Sequence, residues 1–152
     1  AGEMVVTTLR KEAAPLIRYR TRDLTRLITK PCSCGSIMPM HDRILGRSDD
    51  MFIFRAVNIY PSHIDQILSR IDGAGSEYQI ILERDKSGKD HMLIKVEHNV
   101  NVSGHSLDER IRNDVQRDVK KQIMVSCDIE VVDYGALPRS ERKTKRVFDN
   151  RD

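Results

Sequence analysis

Between Arg43 and Pro61 the chain reads RILGRSDDMFIFRAVNIYP, and its centre, Gly46-Arg47-Ser48-Asp49-Asp50, divides two regimes of pattern. Glycine and adjacent aspartates favour turns, and four of these five residues are polar, so the stretch reads as a joint between two structural units. Ahead of Asp49 there is little regular structure; after Ser62 a clear α/β pattern sets in.

Residues 4–9, 16–21 and 24–29 are short β-type runs parted by charged or Pro-containing turns. Their apolar content is too modest to bury a core, and they look like strands of a larger sheet. The chain opens in strand-like register at Ala1-Gly2-Glu3-Met4, without an initiator Met, and is expected to be part of a longer protein. Pro31 to Gly35 forms a tight loop carrying Cys32 and Cys34, with His41 seven residues on. Thiolates and imidazole suit Zn²⁺, so this is a structural-zinc candidate one ligand short; two reduced thiols in a tight turn is the other reading.

After the joint, Met51–Phe54 and Val57–Tyr60 read as a β-ribbon. Pro61 and Ser62 open a helix with Asp65 placed as in a capping box, and Ile64, Ile67, Leu68 and Ile71 supply its apolar stripe up to Gly73. Residues 77–84 and 91–98 alternate as strands around Ser87-Gly88. Ser106 and Glu109 suggest a second capping box, ahead of Leu107, Ile111, Val115, Val119 and Ile123 on one face. Ile129–Tyr134 is the last expected strand, and a polar, basic tail follows. The expected class is α+β, two helices covering one face of a small antiparallel sheet.

A balance of 26 basic and 23 acidic residues, net +3, argues against nucleic acid or an anionic membrane as partner. No apolar run approaches the roughly 20 residues of a membrane span. Three cysteines, with Cys127 isolated and expected in the core, make no disulfide framework and point to a reducing cytoplasm. His63, His91, His98 and His105 read as surface imidazoles.

Three segments together resemble the adenylate-forming enzymes, in particular phenylacetate–CoA ligases: Arg18-Tyr19-Arg20-Thr21-Arg22-Asp23-Leu24, the joint itself, and Leu137-Pro138-Arg139-Ser140-Glu141-Arg142-Lys143-Thr144-Lys145-Arg146. The resemblance implies that residues 1–46 end a large adenylation domain and 47–152 form a mobile C-terminal lid. It implies that Asp23 accepts from the ribose hydroxyls of ATP and that Arg47 reaches the ribose and phosphate edge. Asp49 becomes the hinge, Arg55, Ala56 and Val57 line the passage for the CoA pantetheine, and Lys143 is the catalytic lysine. ATP with Mg²⁺, CoA and a small carboxylic acid are the implied cofactors and partners, and a homodimer is left open.

Each motif alone has a plainer reading: a strand-end Asp, a solvated linker, a basic tail. Their order and spacing carry the resemblance. The chain departs from the family wording at Ala56, where RGVN is usual, and at Arg142, where Gly precedes the lysine. Two rivals follow: a relative transferring AMP to a non-CoA acceptor such as a deazaflavin, and a non-catalytic small-molecule-binding α+β domain.

Overall fold

The computed structural model describes residues 1–99, 104–139 and 145–151. The chain forms two compact units, Ala1–Met51 and Phe52–Asp152, each considered by itself.

In the first unit β1 (Gly2–Val6) pairs antiparallel with β2 (Tyr19–Thr25), β3 (Leu27–Ile28) pairs with β4 (Met40–His41), and β5 (Gly46–Arg47) joins the open side of β2. These strands are displaced from the expected runs, and β3 keeps only two residues. Arg18 takes a left-handed φ of 50° and donates its N–H to the Thr7 hydroxyl, so extended backbone resumes only at Tyr19. Leu9 stays 94% exposed, outside β1. Thr25 is the one buried residue in the unit; its hydroxyl donates to the Asp42 and Arg43 carbonyls. With no buried apolar side chain, this unit has no hydrophobic core of its own.

The second unit opens with a hairpin of β6 (Phe52–Phe54) and β7 (Val57–Ile59), followed by α1 (Pro61–Leu68). Then come β8 (Ala74–Arg84), β9 (Asp90–His98), α2 (His105–Ile123), β10 (Asp128–Val132) and β11 (Val147–Asn150). The sheet runs β10-β9-β8-β11. The α+β class holds, but the sheet is mixed: β8 and β9 are antiparallel, while β10 lies parallel to β9 and β11 parallel to β8. The crossover through α2 makes the first parallel pair, because a strand that returns over a helix lies alongside the one it left.

The residues expected to point inward do so. Tyr78, Ile80 and Leu82 of β8 and Met92, Ile94 and Val96 of β9 form one cluster with Ile64, Ile67 and Leu68 of α1 and Ile111, Val115, Val119 and Ile123 of α2. Each fully buried Ile or Leu is worth about 1.5–3 kcal/mol over an exposed one, so this cluster is the main stabilising term of the unit. Cys127 joins it, and burial pushes its thiol up to about 12.

Several local expectations need correction. Both capping boxes fail. Proline at the first helical position biases its predecessor toward extended backbone, so Tyr60 (φ −111°, ψ 137°) caps α1 and Ser62 falls inside the first turn. Gly104 caps α2, with Asp108 in the first turn favoured by the helix dipole. His98 is buried, not superficial, with its Nε2 on the Asp108 carboxylate. The tail holds a real strand, β11, read beforehand as polar chain. Val147 packs on the core, and Arg151, 17% exposed, binds Asp149, Asp90 and the Ile53 carbonyl, fastening the strand end to β9 and β6. No helix among the described residues is long and apolar enough to cross a membrane.

Candidate functional site

The β2–β5 ladder pairs Asp23 with Arg47. Arg47 donates from Nη1 to Asp23 Oδ1 at 3.1 Å and to the Thr21 carbonyl at 3.2 Å. Its Nε and Nη2 grip Asp49 in a two-pronged contact at 3.0 and 2.9 Å, and Asp50 lies 3.6 Å away. One planar cation thus faces three carboxylates, and the hydrogen bond to Asp49, with the nearby charges, holds the guanidinium above its ordinary pKa. Asp23 and Arg47 remain about one-third exposed, open to a ligand. An acceptor-only carboxylate beside a guanidinium suits vicinal hydroxyls next to an anionic phosphate.

The backbone explains how Asp23 is aimed. β1 and β2 change register between Glu3 and Val5, and Arg22 in the bulge has φ 69°, a left-handed conformation that glycine adopts most readily. Here Arg22 is held by its N–H to Glu3 and by its carbonyl, which accepts from the Ser48 N–H at 2.7 Å. Asp23 in turn donates its N–H to the Thr21 hydroxyl.

The unit boundary falls between Met51 and Phe52, two residues after Asp49. Arg55 and Ala56 form the two-residue turn of the β6–β7 hairpin, both at left-handed φ (48° and 64°), the sign pattern of a type I′ turn. Arg55 reaches the Asp90 carbonyl at 2.9 Å and lies over the Phe54 ring; Val57 packs against the core. No Asn-Gly or Asp-Gly marks this turn.

Lys143 and Arg142 lie outside the described residues. The described ends of their segment are both tied down: Arg139 binds Glu97 and Glu77, and Arg146 binds Glu77. The sequence reading passed over both glutamates, which alternate with apolar residues as solvent-facing positions do.

Cys32 Sγ and Cys34 Sγ lie 2.9 Å apart, and the hydrogen bond between them lowers the exposed Cys34 thiol. His41 is turned to the Asp42 carbonyl. Among the described residues no three Cys, His, Asp or Glu side chains converge as a metal group.

Several known proteins resemble this chain in sequence and fold. The protein family described as AMP-binding enzyme C-terminal domain matches residues 56–151. The chain is 39% identical over 153 residues to phenylacetate-coenzyme A ligase of Escherichia coli (strain K12), spanning 99% of this chain and 34% of that protein. It thus spans about a third of the length of such curated relatives. A 2-hydroxyisobutyryl-CoA ligase, solved in the postadenylation state with R3-HIB-AMP, superposes with a TM-score of 0.82 at 34% identity, covering 99% of this chain and 32% of that one. A solved domain of phenylacetate-coenzyme A ligase from Bacteroides vulgatus ATCC 8482 aligns with a TM-score of 0.60 at 33% identity, over 68% of this chain and 95% of that domain. With the family match covering well over half of its residues, the chain belongs to the AMP-binding enzyme C-terminal domain family.

Proposed function

We propose that this chain is the hinge and lid of an ATP-dependent acid–thiol ligase acting on an aryl acid of the phenylacetate type. The observation that carries the reading is the seating of Asp23 against Arg47 two residues before Asp49, at the end of a unit with no core of its own. In the whole enzyme, residues up to the joint belong to a large adenylation domain and those after it to the mobile lid.

In the first half-reaction the substrate carboxylate attacks the α-phosphate of ATP, forming an acyl-adenylate and releasing pyrophosphate. Asp23 accepts from the ribose hydroxyls and Arg47 spans toward the phosphate edge. Lys143 supplies an ammonium where negative charge grows on the phosphoryl oxygens. Such positioned charge acts selectively on the transition state. Mg²⁺ enters with ATP as its counter-ion. The lid then turns about Asp49, the CoA thiol attacks the acyl carbon along a passage bordered by Arg55, Ala56 and Val57, and AMP leaves. A hinge needs a few residues that absorb a φ/ψ change while neighbours stay rigid. The free thiols suit a cytoplasmic enzyme.

The exposed methyl of Ala56 at the hairpin turn favours a second reading, transfer of AMP to an acceptor other than CoA. Acid-dependent ATP–pyrophosphate exchange by the whole enzyme, over phenylacetate and related aryl acids, tests the first half-reaction. Exchange that disappears in Lys143→Ala supports adenylation. CoA-dependent AMP release then separates the two readings, and exchange with no acid overturns the ligase.

A further inference from the structure

The segment joining β3 to β4 carries two of the chain's three cysteines one residue apart, and the fold turns them onto each other. Gly35 donates its N–H to the Cys32 carbonyl at 3.0 Å, closing a four-residue turn with Ser33 and Cys34 at its centre. Gly35 takes φ 79°, a left-handed value that suits glycine, and a Cβ there would meet nothing within 4 Å. Around this turn Cys32 Sγ and Cys34 Sγ come to 2.9 Å, so that one thiol donates to the other. Two sulfurs supply half of the four ligands that structural zinc takes. A disulfide needs these two alone and a closure of about 1 Å.

The pair is within reach of a small reagent. Cys34 is exposed and Cys32 half-buried, and the same loop leaves Ile37 98% and Met38 72% exposed. Residues 28–40 include no carboxylate and one cation, Lys30, so no negative charge within the loop opposes a thiolate. Cys127 is the contrast inside the same chain. It is buried in the core, and that burial pushes its thiol up to about 12.

We propose that Cys32 and Cys34 form a dithiol site that exchanges with small disulfides, passing reversibly between two thiols and one internal disulfide. Cys34, the more exposed sulfur, attacks as thiolate one sulfur of a low-molecular-weight disulfide. A sulfur–sulfur bond forms to Cys34, and one small thiolate leaves. Cys32, already in contact, gives its proton to solvent and attacks Cys34 Sγ. The Cys32–Cys34 bond forms and the second small thiolate leaves. Both thiolates take up the two protons given up by the cysteines, and the two electrons lost by the protein reduce the small disulfide. An exposed disulfide is of the labile kind, so excess small thiol reverses the reaction. None of the residues given a role in ligation takes part.

The test uses the whole enzyme, reduced, freed of reductant and kept folded, with oxidised glutathione as the probe. Peptide mass mapping should find the segment holding Cys32 and Cys34 lighter by two hydrogens, with two glutathione thiols released per closure and Cys127 untouched. Excess reduced glutathione should restore the dithiol. In the reduced enzyme iodoacetamide should label Cys34 about tenfold or more faster than Cys127. In Cys32→Ser the second step has no attacking sulfur, so a glutathione adduct should accumulate on Cys34. Adducts on both cysteines of the wild type with no internal disulfide overturn the proposal, as does a folded enzyme whose pair reacts only after unfolding. Zinc bound at one per chain, shielding both thiols and lost in Cys34→Ser, overturns it in favour of a metal site. If the variants do not fold, the wild-type mapping decides alone.

Discussion

Arg47 and Asp23 stand opposite each other on paired strands, guanidinium to carboxylate at 3.1 Å, and the same guanidinium grips Asp49 two residues along the chain. A strand from before the joint and the joint itself are thus held by one cation. Ribose contact, phosphate contact and hinge, the three roles proposed here, fall on side chains that touch one another.

Arg47→Met and Asp23→Asn in the whole enzyme should each raise KM for ATP in the exchange assay by about tenfold or more. A hydrogen bond to a charged group is worth about 1.5–3 kcal/mol. Arg47→Lys should be nearly as poor as Arg47→Met, because an ammonium cannot reproduce the two-pronged grip on Asp49. An unaltered KM in both would remove the nucleotide from this site.

Ala56→Gly should stabilise the hairpin. A non-glycine residue at left-handed φ costs on the order of 1–2 kcal/mol, partly offset by the greater freedom of glycine when unfolded, so a gain of about 1 kcal/mol is expected. Chemical denaturation of the chain measures it. Equal or lower stability would mean that the turn relaxes around the methyl at no cost.

Gly75→Ala should do the reverse. An added Cβ would stand 2.7 Å from the His98 carbonyl oxygen and 2.9 Å from that of Glu97, both backbone atoms that cannot swing aside. A loss of about 2 kcal/mol is expected, as for overpacking elsewhere. Chemical denaturation measures it, and an unchanged midpoint would show that the β8 and β9 backbones shift apart at no cost.

Acidification should weaken the second unit. The Ser87 hydroxyl and His91 hold Asp85 well below the ordinary carboxylate range, and Arg84 and Arg151 lower Asp90 and Asp149 respectively. Groups with a depressed folded pKa stabilise fully above their unfolded value, and that contribution is lost as pH falls through the folded one. Thermal midpoints should therefore drop below about pH 4, and Asp85→Asn should show a shallower drop than the parent. An identical slope in the variant would show that the turn hydrogen bonds do not distinguish folded from unfolded Asp85.

The apolar skeleton is written in local residue pattern. The four-residue repeat from Leu107 to Ile123 and the alternation through Tyr78–Leu82 and Met92–Val96 follow from helix and strand periods, which are local, and they named the core correctly. Tertiary structure alone decided what depends on partners distant in sequence. β11 forms because β8 offers an open edge and Arg151 finds Asp90, 61 positions away. His98 is buried because Asp108 comes to meet it, and Glu97 because Arg139 returns to it across α2 and β10. Even the helix caps moved, to Tyr60 and Gly104, since Pro61 and Gly104 set backbone geometry more strongly than a nearby serine could. A charged residue on a strand reads as solvated until the fold brings its counter-charge, and that pairing is written only in three dimensions.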